Sequence, residues 1–62
     1  MNYKYVVHYL YGDIGGQIGC QSRKQAIDMA SAIGLWVETK IGVSAEISIQ
    51  DVETGDVVPF FQ

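Results

Sequence analysis

The chain has 62 residues, 48 % of them apolar and 18 % charged, with a formal net charge of −3. That is too apolar for a disordered segment and too short for more than one domain, so residues 1–62 are read as one unit. The four basic residues, Lys4, Arg23, Lys24 and Lys40, form no obvious stripe, which argues against binding a phosphate backbone.

Residues 2–11 read as a first strand. Tyr3, Tyr5, Val7, Tyr9 and Tyr11 fall on one side, and Lys4, Val6, His8 and Leu10 on the other. GDIGG at 12–16 reads as a break. Residues 16–21 follow as a second strand, hairpinned to the first, with glycines that signal a bulge or the close approach of another backbone. Ser22 then opens a helix, with Gln25 three residues on as a capping box requires. Ala26, Ala30, Ile33, Val37 and Ile41 make one apolar stripe, widened by Met29 and Trp36, and Trp36 is expected in the core. Gly34 could end this helix. The stripe continues through Val37, however, and Lys40 suits a helix C-terminus, so the expected end is near Lys40 with a left-handed Gly42 behind it. Ala45, Ile47 and Ile49 alternate with Glu46, Ser48 and Gln50 in a third strand. Glu53–Thr54–Gly55–Asp56 reads as a tight turn, and Val57, Val58, Phe60 and Phe61 as a last short strand that Pro59 confines to an edge.

The order strand, strand, helix, strand, strand predicts an α+β fold. It is a two-layer ββαββ domain, with one helix packed on a small, mostly antiparallel four-stranded sheet. One helix stripe covers one sheet face. The small Ala26 and Ala30 favour the tyrosine side of the first strand beneath the helix, because large rings need small partners. Val6 and Leu10 would then lie on the open face beside His8. The reverse arrangement would bury His8 and expose four tyrosines. Either way, a domain of marginal size keeps apolar surface in water, which marks a protein–protein contact. With one cysteine there is no internal disulfide, and one His with one Cys makes a poor zinc set, so oligomerisation is the support left open. A symmetric dimer is the commonest form. The residues expected to meet a partner are Val6, His8, Leu10, Tyr3, Tyr11, Phe60 and Phe61.

Other chemistry finds little support. Gly12–Gly19 is rich in glycine but lacks dinucleotide or P-loop spacing, so a flexible hairpin loop is the plainer reading. His8 and Cys20 could neighbour each other across the first hairpin, yet no third group or oxyanion hole goes with them. Glu46, Asp51, Glu53 and Asp56 match no calcium loop and suit a soluble turn. Tyrosines on a sheet can stack nucleic-acid bases, but Lys4 is the one cation on that strand. We therefore expect no enzyme activity, no cofactor and no metal. The expectation is a small interaction module that acts by binding a surface, as a homodimer and with another protein. Nucleic-acid or small-ligand binding, through the tyrosine-lined face or a dimer seam, is the alternative. A lone thiol without a signal-peptide pattern fits the cytoplasm, and no run of apolar residues suits a membrane span. The chain reads as a small complete open reading frame, of the size class that phage and mobile-element genomes encode, often as inhibitors of host machinery.

Overall fold

Tyr and Val favour a pleated backbone, and in this chain they hold it from Tyr5 to Tyr11, strand β1. The computed structural model describes residues 3–59. After β1 come β2 (Ile14–Cys20), helix α1 (Arg23–Trp36) with a π-helical turn over Val37–Ile41, β3 (Glu46–Asp51) and β4 (Val57–Val58). The strands form one sheet in the order β2-β1-β3-β4, every neighbouring pair antiparallel. Helix α1 lies across one face of it. This is the two-layer ββαββ arrangement that the sequence predicts.

Local chemistry sets the boundaries. Gly12, Gly42 and Gly55 alone among the described residues have positive φ, and each sits where the chain turns or a helix stops. A left-handed Gly12 followed by an ordinary Asp13 makes a two-residue hairpin loop of the type II′ kind. The turn is thus tighter than the GDIGG break suggests, and Ile14, Gly15 and Gly16 already belong to β2. At the helix start, Ser22 Oγ accepts from Gln25 N at 3.1 Å, and Gln25 Oε1 accepts from Gln21 N at 2.8 Å. The reciprocal bond reaches one residue further back than a capping box does.

The helix passes through Gly34 and stops at Gly42, as its apolar stripe implied. Its last turn is wider than an α-turn, because Gly42 N donates to Val37 O five residues back, at 2.9 Å. The Thr39 hydroxyl donates to Leu35 O at 2.8 Å in the same turn. Ile41, at the end of that turn, is exposed although the stripe includes it.

Val7, Cys20, Ala26, Ala30 and Ile49 form the buried core, with Tyr5, Ile18, Ile27, Met29, Ile33, Ile47 and Val58 packed against it. Val7 and Ile49 are opposed across β1 and β3, directly beneath the helix. Burying each of these side chains is worth about 1.5–3 kcal/mol. Two methyl-sized residues on the helix let it settle close enough to seal them.

The side of β1 beneath the helix is therefore the one carrying Tyr5, Val7, Tyr9 and Tyr11. Two expectations need correction. Tyr3 does not continue that row. Lys4 N donates to Cys20 O at 3.0 Å although Tyr5 is already opposite Cys20, so two residues face one, as in a β-bulge. The extra residue shifts the alternation and carries the Tyr3 ring over Gly19, on the other side of the sheet. Trp36 is not core either: it is 52 % exposed. It stands one residue, about 100° of helix turn, from buried Val37, beyond the narrow strip that the sheet covers. The predicted last strand is observed at Val57 and Val58, while Phe60 and Phe61 lie outside the described residues.

Candidate interaction surface

Strand alternation and register together define the uncovered face. Val6, His8 and Leu10 of β1 point to it. Beside them stand Gly19, Gln17 and Gly15 of β2, and Gln50, Ser48 and Glu46 of β3. Val57 of β4 is opposite Gln50 and shares the same side. No element of the described chain lies over this face. Leu10 is 46 % exposed, Tyr3 42 % and Val57 69 %.

The glycines of β2 explain how large side chains lie flat there. A Cβ at Gly15 would stand 3.2 Å from Leu10 Cδ1, and one at Gly19 would collide with the body of the Tyr3 ring. Leu10 and Tyr3 thus use the room that missing side chains leave, as aromatic and aliphatic groups do over glycines at sheet edges.

A polar pair sits in the middle. His8 Nε2 lies 3.1 Å from Gln50 Oε1, and the Gln50 amide nitrogen donates to Gly55 O at 3.3 Å. That second bond orients the amide, so its oxygen faces the imidazole and His8 donates from Nε2. Nδ1 has no partner among the described residues. Asp51, at this end of the sheet, has structural work instead. Asp51 Oδ1 accepts from Glu53 N at 2.9 Å and from Thr54 N at 3.3 Å, which closes the turn into β4.

The residues expected to meet a partner fall in two places. Tyr3, Val6, His8 and Leu10 come together on the open face. Tyr11 is on the helix side, its ring stacked on Tyr9 at 6.2 Å between centroids and 19° between planes. There Tyr9 and Tyr11 line an apolar groove of about 350 Å³ with Ile18, Ile33, Trp36 and Val37. Phe60 and Phe61 lie outside the described residues.

Sequence reasoning missed Val57, Ile14, Leu35 and Trp36 as exposed apolar groups. Two of them had a legible signal. Leu35 is two residues past Ile33, about 200° round the helix from the stripe. Val57 is displaced by one residue from the half-buried Val58, so it points the other way.

His8 and Cys20 do not meet. His8 is on the open face opposite Gln17, whereas Cys20 is on the helix side opposite Tyr5 and only 1 % exposed. Burial pushes the Cys20 thiol above its ordinary pKa, which disfavours the thiolate that a nucleophile needs. Among the described residues no three His, Cys, Asp or Glu side chains gather as a metal site. No helix among them is long and apolar enough to cross a membrane. Set beside known protein families, curated proteins and solved structures, the chain has no match in any of the three.

Proposed function

We propose that this chain is a non-enzymatic interaction module that acts by surface binding, as a homodimer that presents the open face of its sheet to another protein. The observation that supports this reading is the grouping of Tyr3, Val6, Leu10 and Val57 around the His8–Gln50 pair on a face that no described element covers. Gln17, Ser48 and Glu46 lie on that face as well. An apolar centre with polar surroundings is the anatomy of a protein interface. His8, held by Gln50, supplies one oriented polar ring within the apolar surround.

Light scattering behind a sizing column is the first test. The mass is expected to rise with concentration from 6.8 kDa toward twice that value. A photo-reactive amino acid in place of Leu10 is expected to capture, besides a second copy of this chain, one other protein of defined mass in cells, while the same group in place of exposed Lys24 captures none. A monomer at every concentration, together with no adduct from position 10, overturns the reading.

The groove under Trp36 supports a second reading, as a site for a small apolar ligand. Its volume of about 350 Å³ falls in the range of small-molecule pockets, and two stacked tyrosines with hydroxyls form part of its wall. An aromatic probe such as anilinonaphthalene sulfonate that binds there raises the melting temperature, and Trp36→Ala abolishes the shift. Nucleic-acid binding is less well supported than either. Tyr5, Tyr9 and Tyr11 are on the helix side, which leaves Tyr3 as the sole tyrosine ring on the open face.

A further inference from the structure

We infer that the surface by which this chain pairs with itself is the free edge of β2, joined antiparallel to β2 of a second copy about a two-fold axis through Gln17. This rests on the homodimer reading above and specifies it.

The two edges of the sheet differ in kind. β4 is two residues long and is followed by Pro59, which has no amide hydrogen to offer. β2 runs for seven residues, Ile14–Gly15–Gly16–Gln17–Ile18–Gly19–Cys20, without a charge or a proline. Lys, Pro, bulges and short length are the devices that keep sheet edges from joining. Within β2 none of them is present.

The register says which backbone groups are free. A two-residue loop makes Tyr11 and Ile14 the first hydrogen-bonded pair of the hairpin. Bonded and non-bonded pairs alternate from there, so Ile14, Gly16, Ile18 and Cys20 bond to β1. Gly15, Gln17 and Gly19 turn their N–H and C=O groups outward along the edge. A second β2 overlaps all seven residues only when the axis passes through Gln17. Gln17 then faces its own copy, Gly15 faces the second copy's Gly19, and Gly16 faces the second copy's Ile18. All three outward residues form ladder pairs.

Side chains on both faces fit this register. Leu10 leans over Gly15 and Tyr3 over Gly19, so the pairing brings exposed Leu10 beside the second copy's Tyr3 at each end of the seam. On the helix side, Ile18 comes opposite the second copy's Gly16, over which that copy's own Tyr9 ring lies. Beyond the strands, Asp13 comes opposite the second copy's Gln21, two residues before its Arg23. The product is one eight-stranded sheet whose two open faces are continuous (twice the four strands of one copy).

Three measurements test this on the full chain. Gln17→Pro removes an outward amide that β1 does not use, and is expected to give a monomer by light scattering with an unchanged circular dichroism spectrum. Gln17→Lys and Gln17→Glu place like charges opposite each other and are each expected to weaken the dimer at least tenfold. Mixed in equal amounts, they are expected to restore it. In the wild type, the amides of Gly15, Gln17 and Gly19 are expected to exchange with deuterium more slowly as concentration rises, while the other β2 amides do not change; this readout needs no variant. A wild-type dimer that persists in Gln17→Pro, gains nothing from mixing and shows no concentration-dependent protection at these three amides overturns the inference and leaves the homodimer reading standing. A wild type that stays monomeric overturns both.

Discussion

Val7 and His8 are neighbours in the chain, yet they belong to two different environments. Val7 has no exposed surface: the helix and Ile49 enclose it. His8 points the other way, into a face where Gln50 holds it by one hydrogen bond and no described element covers it. The same division runs through β3, between Ile49 and Gln50. One helix with an alanine-centred stripe has enough apolar width for one side of the sheet. Stability is thus concentrated on that side, and no described element covers the other.

The largest expected effect breaks the covered side. Ile49→Ala removes a fully buried side chain from the centre of the core and is expected to cost about 2–5 kcal/mol of unfolding free energy, read from a denaturant titration. In a domain of this size that is enough to populate the unfolded state in buffer. Its neighbour on the open side gives the contrast: Ser48→Ala is expected to stay within about 0.5 kcal/mol of wild type. Equal losses at the two positions would mean that the open face is covered in solution.

A smaller effect separates the two faces at the bulge. If the Tyr3 ring lies over Gly19, Gly19→Ala is destabilising in the wild type and stabilising once Tyr3→Ala has cleared the space, since alanine is the better strand residue. A double-mutant cycle is expected to show coupling of at least about 0.5 kcal/mol. Additive single effects would place Tyr3 elsewhere.

The bulge also shows where sequence reasoning stops. The elements and their order were legible, because alternation in β1 and β3 and the Ala26–Ala30–Val37 spacing repeat over several residues; the small Ala26 and Ala30 favoured the tyrosine side of β1 beneath the helix without fixing it. Tyr3 was misplaced because one extra residue at Lys4 inverts the parity, and no side chain announces it. Trp36 was misplaced because its hydrophobicity suggested core while its angle from the stripe pointed outward. Of the candidate site, Val6, His8 and Leu10 could be read from parity alone. Gln50 as the partner of His8 could not, because the register between β1 and β3 is set across a helix and a loop. The uncharged edge of β2 was visible as composition, but not as an edge, since strand order decides that.

Cys20 sharpens the comparison through pH. Burial on the helix side raises its pKa in the folded chain, so the unfolded chain releases the thiol proton first. Stability from this source is complete below the unfolded thiol value of about 8.5 and is lost as pH rises from there through the folded value. Melting temperature is expected to fall less between pH 8 and pH 10 in Cys20→Ala than in wild type, whatever the difference in level between them. Parallel profiles would mean that the thiol is solvated.

Leu10→Gln is expected to have the smallest effect on the fold, and it bears most directly on function. Leu10 is nearly half exposed and leans on Gly15 without reaching the core, so unfolding of the monomer is expected to shift by no more than about 0.5 kcal/mol. Association is where the loss belongs. With the second copy's Tyr3 as its neighbour at both ends of a β2 seam, Leu10→Gln removes apolar contact twice per dimer and raises the dissociation constant, while the backbone ladder through Gly15, Gln17 and Gly19 survives. A weakened dimer with slow exchange still recoverable at higher concentration is therefore the signature of a side chain that supports an edge pairing. Complete loss of the dimer would assign the seam to the open face itself, with Leu10 at its centre.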